Sequence, residues 1–141
     1  MTVDGKTLIA GTDYNLVYSD NVNVGTAKMT VHPTGESFYR EESGKPVTFD
    51  FQITPADISK ASVSGLGAVD YNGSAQTPAP VLTWNGKTLT AGTDYDVTYA
   101  SNTNVGTANV TITGKGNFTG TIGKTFTIRP ASIRNATLTG L

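Results

Sequence analysis

Apolar and polar residues alternate with a period of two over much of this chain. In YDVTY, Tyr95, Val97 and Tyr99 share one face while Asp96 and Thr98 take the other. In ANVTI, Ala108, Val110 and Ile112 alternate with Asn109 and Thr111, and in VTFDFQI, Val47, Phe49, Phe51 and Ile53 alternate with Thr48, Asp50 and Gln52. A segment with one apolar and one polar face suits an antiparallel sheet that covers a core on one side and meets water on the other. Between such segments stand Asp4-Gly5, Asn72-Gly73 and Asn85-Gly86, dipeptides that accept the positive φ of two-residue hairpins. No stretch of ten residues holds a helical period. Short strands with turn signals between them predict an all-β chain organised as β-sandwiches. Its core is expected to contain Tyr95, Val97, Tyr99, Val110, Ile112, Phe126 and Ile128, with Trp84 nearby.

The pattern itself repeats. Gly5 to Ala27, GKTLIAGTDYNLVYSDNVNVGTA, returns from Gly86 to Ala108 as GKTLTAGTDYDVTYASNTNVGTA; over Gly5–Val31 against Gly86–Ile112, 17 of 27 positions are identical at an offset of 81. ITPADISKASVSGL (Ile53 to Leu66) returns as IRPASIRNATLTGL (Ile128 to Leu141), with 7 of 14 identical at an offset of 75. The first copy therefore carries a six-residue insertion within HPTGESFYREESGKPV. One register makes residues 1–53 an N-terminally incomplete module with the insertion, 54–128 a complete module, and 129–141 the opening strand of a third, a window on a longer array. A second register makes 1–66 and 81–141 two whole modules joined by GAVDYNGSAQTPAP. The prolines of ITPA and IRPA favour the first, because proline removes a backbone donor and fixes φ where a strand leaves one sheet for the next module. In that register residues 1–53 lack counterparts of Ile58 to Thr83, leaving a sheet edge and an apolar face with Phe49 and Phe51 open. The tail from Ile133 to Leu141 repeats the opening strand, so strand exchange between chains is expected.

Composition narrows the classes of function. The formal net charge is −1 and 15% of residues are charged, which gives no electrostatic reason to expect nucleic acid or an anionic membrane as partner. No apolar run approaches the roughly 18 residues of a membrane-spanning helix, and MTVDGKTL has neither a basic nor an apolar leader segment. There is no cysteine, so no disulfide framework contributes to stability and the core must suffice. With 24 threonines and 16 glycines, the chain has the profile of extended strands joined by tight turns.

The run Y-N-G-S-A-Q-T-P-A-P-V-L-T-W-N-G-K-T-L-T-A-G-T-D-Y-D-V-T-Y, followed by N-V-G-T-A-N-V-T-I-T-G-K-G-N-F-T-G-T and F-T-I, resembles the immunoglobulin-like repeats of large bacterial cell-surface proteins and adhesins. The resemblance covers nearly all of the chain apart from the insertion. It implies tandem immunoglobulin-like β-sandwich modules in an extended extracellular protein, with neighbouring modules as partners. It implies no active site, no cofactor and no ligand.

The candidate sites are few. Asp13 and Asp94, both in GTDY, suggest calcium with help from Asp20 or Asp96, but a hard cation needs six or more converging oxygens. The sequence has no D-x-D-x-D run, and a turn-capping role through backbone amides is the expectation for both. His32 is the only histidine; the second copy has Thr113 there, and no nucleophile and orienting acid accompany it, so it is expected in a solvated loop. No catalytic residue is assigned and no enzyme is expected. An intramolecular Lys–Asn crosslink would need a buried neutral lysine beside a proton-shuttling carboxylate, whereas Lys6 and Lys87 fall in hairpins and Lys28 on a polar face. The N-x-S/T sequons, among them those at Asn72, Asn117 and Asn135, follow from the abundance of threonine. The insertion holds all three glutamates, Glu36, Glu41 and Glu42, with Phe38, Tyr39 and Arg40. Aromatic and arginine side chains on a loop are the material of binding hot spots, so Phe38, Tyr39, Arg40 and Glu41 form the possible ligand-binding loop. The expected function is a structural spacer or stalk; the alternative is an adhesin module that recognises a host protein or glycan through residues 33–46.

Overall fold

Asp4-Gly5 and Asn85-Gly86 each place two successive residues at positive φ (48° and 79°, 47° and 78°), the geometry of a type I′ hairpin. Around these turns and their neighbours, the computed structural model describes residues 1–34, 45–137, 139 and 140. The chain is all-β, and it divides into two compact units, Met1–Thr54 and Pro55–Leu141.

In the first unit, β1 (Thr2–Val3) and β2 (Lys6–Thr7) form the Asp4-Gly5 hairpin. Three longer strands, β3 (Tyr14–Ser19), β4 (Gly25–Pro33) and β5 (Val47–Ile53), form an antiparallel sheet in the order β3-β4-β5. Among the described residues of this unit, the buried apolar ones are Leu8, which follows β2, and Ala27 and Val31 of β4.

The second unit begins with β6 (Ala56–Asp57), a 3-10 turn over Ile58–Lys60, and β7 (Ser62–Ser64). Then follow β8 (Val69–Asp70), β9 (Val81–Trp84), β10 (Lys87–Thr88), β11 (Tyr95–Ala100), β12 (Gly106–Gly114), β13 (Phe118–Thr119) and β14 (Thr121–Arg129). One sheet runs β10-β9-β7 and another β11-β12-β14-β8, while β6 pairs with β13. The core draws on both larger sheets and on the 3-10 turn: Ile58, Leu82, Leu89, Tyr95, Ala108, Val110, Ile112, Ile122, Phe126 and Ile128 are buried together, with Val63, Leu66, Val69, Trp84, Val97 and Tyr99 packed against them. The face assignment read from the alternation therefore holds: all seven expected core residues lie in or against this cluster, and Trp84 packs edge-on to Phe118.

Three local expectations are corrected. Asn72-Gly73 is not a two-residue hairpin. Only Gly73 has positive φ, and the Asn72 side-chain oxygen accepts the Ser74 N–H at 2.9 Å, a side-chain-closed turn that competes with hairpin geometry. The opening segment of the repeat is not one strand, because Ile58–Lys60 and its counterpart Ile133–Asn135 form 3-10 turns. The sheets are also not wholly antiparallel. β6 pairs with β13 and β14 with β8 in parallel, which the long intervening chain permits.

GAVDYNGSAQTPAP is tied to the second unit along its length. Arg129 and Asp70 form an ion pair at 2.9 Å, and Tyr71 N–H donates to the Arg129 carbonyl at 2.9 Å. Gln76 N–H donates to the Asn102 carbonyl at 2.7 Å, and the Asn102 side chain donates back to the Gln76 carbonyl at 2.9 Å.

Candidate interaction surface

The two sheets built from the repeated sequence pair in the same register. Tyr14 stands opposite Pro33 as Tyr95 does Gly114, and Ala27 opposite Phe51 as Ala108 does Phe126. Gly25 and Gly106, at φ 139° and 137°, open the equivalent strands in a conformation that L side chains rarely adopt.

The repeated aspartates have a local role. The Ile9 N–H donates to the Asp13 carboxylate and the Thr90 N–H to the Asp94 carboxylate, both at 2.8 Å. Each closes the loop between a hairpin and the following strand, and the main chain of the same residues accepts from Thr34 N–H (3.2 Å) and Lys115 N–H (2.9 Å). Among the described residues no group of three or more His, Cys, Asp or Glu is placed to hold a metal.

His32 lies in β4, half-buried and opposite Asn15, on a strand and not in a loop as expected. The strand runs further than the local sequence suggests, since the β3–β4 ladder continues to Pro33. Lys28 meets Asp50 across the strands at 3.1 Å, and Lys115 meets Asp96 at 3.1 Å, with all four side chains roughly half-exposed. Such pairs contribute at most about 1 kcal/mol. Phe38, Tyr39, Arg40 and Glu41 lie outside the described residues, as do Glu36 and Glu42.

Three polar features went unnoticed in the sequence. Tyr95 and Tyr99 donate their hydroxyls to the carbonyls of Pro80 (3.1 Å) and Pro78 (2.7 Å), and burial pushes both phenols above their ordinary pKa. The two tyrosines thus hold the approach to β9 against the opposing sheet. Asp57 caps the 3-10 turn by accepting the Ser59 N–H at 2.9 Å. That bond, followed by the Ser59 hydroxyl and, more weakly, Lys60, holds the carboxyl below its usual pKa.

The feature most capable of recognition is the apolar face of the first sheet. Alternation puts Leu16, Tyr18, Met29, Val47, Phe49, Phe51 and Ile53 on one face together with buried Ala27 and Val31. Phe51 is 40% exposed where its equivalent Phe126 is 4% exposed, and Val47 is 55% exposed where Ile122 is 9%. Leu16, Tyr18 and Phe49 are likewise exposed. Contiguous apolar surface of this kind marks an interaction site when it is not an isolated residue. No family model, curated protein or solved structure matches this chain.

Proposed function

We propose that the chain is a structural spacer, a pair of immunoglobulin-like repeat units from a bacterial cell-surface protein that extends an adhesive or catalytic region away from the wall. The observation that carries this reading is the recurrence of one sheet in two units, with the same register, the same aspartate-closed loop and the same type I′ hairpin. Repetition of scaffold geometry is what reach requires, because each added unit lengthens the stalk without altering its chemistry. The resemblance of G-T-D-Y, N-V-G-T-A and T-G-x-G-N-F-x-G-T to surface-protein repeats supports the same reading, and with it an extracellular location.

The test is display of the chain on a bacterial surface between a wall anchor and a known adhesive domain. Adhesion should be retained when the chain is exchanged for an unrelated sandwich pair of equal length, and should fall as units are removed. Loss of adhesion on that exchange would instead assign recognition to this chain. Deleting residues 35–44 would then show whether the loop with Phe38, Tyr39 and Arg40 binds a host protein or glycan: adhesion would vanish while thermal stability stayed unchanged.

A further inference from the structure

β14 carries a lysine where its alternation calls for an apolar residue. Ile122, Lys124, Phe126 and Ile128 share the face of the strand that turns to the core. The other three are buried, and so is Val110, which stands opposite Lys124 on β12. Lys124 itself is exposed, and among the described residues no carboxylate forms an ion pair with it. The fold does not require a lysine here, because the same register position in the first unit, opposite Met29, holds Phe49.

The lysine lies on a strand edge. β12 pairs with β14 from Thr121 to Ile128, whereas β8 meets β14 only at Ile128 and Arg129. Tyr71 N–H donates to the Arg129 carbonyl at 2.9 Å, which identifies the side to which Arg129 turns its backbone groups. Alternation along the strand turns those of Thr127, Thr125, Gly123 and Thr121 to the same side. Among the described residues no strand pairs with these four there. Both flanks of β8 are committed elsewhere within the unit. β7 lies in the other sheet beside β9, and Asn72 turns the chain back by accepting the Ser74 N–H. The edge from Thr121 to Thr127 is thus left open by the topology of the second unit itself.

We propose that Lys124 guards this edge and prevents it from pairing with the same edge of a second copy. A lysine on an apolar face lays its stem over its neighbours and carries the ammonium out to water. With Ile122, Phe126 and Val110 enclosed, the way out is across the unpaired side of β14. A second strand laid along that side would block it and leave an unpaired charge among apolar side chains. That cost exceeds what the new backbone hydrogen bonds contribute. An inward-facing charge is one of the devices by which sheet edges resist pairing. The rest of TIGKTFT (Thr121 to Thr127) contains no proline and no other charge, and its threonine, isoleucine and phenylalanine favour strands. Lys124 is therefore what separates a free edge from an adhesive one.

The test replaces the lysine in the full chain. Lys124→Met keeps the stem and removes only the ammonium, and Lys124→Phe installs the residue that the first unit has. Either variant should associate as its concentration rises, reaching at least about twice the parent's mass by light scattering at equal concentration. The amides of Gly123, Thr125 and Thr127 should then exchange with deuterium more slowly than in the parent. Thr125→Pro removes an outward N–H without touching the ladder to β12, and adding it should return both variants to the parent's mass. Lys124→Arg keeps the charge and should behave as the parent does. Trp84 fluorescence in urea establishes that the second unit is folded in each chain. A folded Lys124→Met or Lys124→Phe chain that keeps the parent's mass at high concentration would overturn the proposal. So would association that survives Thr125→Pro, or a Lys124→Arg chain that associates as Lys124→Met does.

Discussion

The carboxylate of Asp94 accepts the Thr90 N–H at 2.8 Å from four residues downstream, and Asp13 holds Ile9 in the same way at the same distance. The pair accounts for the unchanged recurrence of GTDY without any ligand being invoked. Replacing Asp94 by Ala should cost about 0.5–2 kcal/mol, the range for losing a side-chain cap on an exposed amide. Asp94→Asn, which keeps an acceptor oxygen, should cost less. Urea unfolding followed through Trp84, in the second unit, measures both.

Phe126 and Phe51 face Ala108 and Ala27 in equivalent sheets, but only Phe126 is enclosed. Phe126→Ala should destabilise the second unit by about 3–5 kcal/mol, from lost transfer energy and the cavity left behind. In a chain lacking residues 130–141, Phe51→Ala should cost less than half as much, since much of its ring already meets water. Equal costs in the two units would show that the face around Phe51 is covered within a single chain.

Tyr95 and Tyr99 should each lose about 1 kcal/mol on replacement by Phe, the usual net worth of a hydrogen bond, with Tyr95→Phe the larger because its partner is buried. Pro78 and Pro80 have no N–H, so the carbonyl is the only backbone polar group each can satisfy. Both phenols have a pKa raised mainly by burial. Their contribution is therefore intact below the unfolded tyrosine pKa of about 10 and is lost as pH rises through the higher folded values. Alkaline titration by absorbance should show two late-ionising tyrosines in the parent and one in either single variant.

Asp57 has the opposite sign. Its folded pKa is depressed, first by the Ser59 N–H and then by the Ser59 hydroxyl and Lys60. Its stabilising effect is present above the unfolded value of about 3.9 and disappears as pH falls through the lower folded value. Asp57→Asn should flatten the acid limb of a plot of Tm against pH below about pH 4 and leave the alkaline limb unchanged.

The alternation in YDVTY, ANVTI and VTFDFQI was enough to assign strands and faces, because a strand turns successive side chains to opposite sides whatever it packs against. The Asp-Gly and Asn-Gly hairpins at residues 4–5 and 85–86 were equally legible, since positive φ at two successive positions admits few residue types. Asn72-Gly73 misled for a related reason: the same dipeptide closes a turn through its side chain when no pair of strands meets there. The 3-10 turns at Ile58–Lys60 and Ile133–Asn135 gave no period to detect, being a single turn each. The partners of the Tyr95 and Tyr99 hydroxyls lie 15 and 21 residues away in the chain, beyond the reach of any local pattern.

By itself, then, the sequence determined which residues form strands, which face of each is apolar, where the repeat falls and which aspartates close its loops. These are consequences of neighbours along the chain. The first repeat register already implies an open face at Phe51; only the tertiary structure decided which segment encloses the face at its equivalent, Phe126. Burial depends on what another segment brings across the core, and Ile58, Val63 and Leu66 do so in the second unit alone. Two stretches of similar sequence thus form the same sheet with different exposure, because strand pairing is set within the sheet and enclosure is set from outside it.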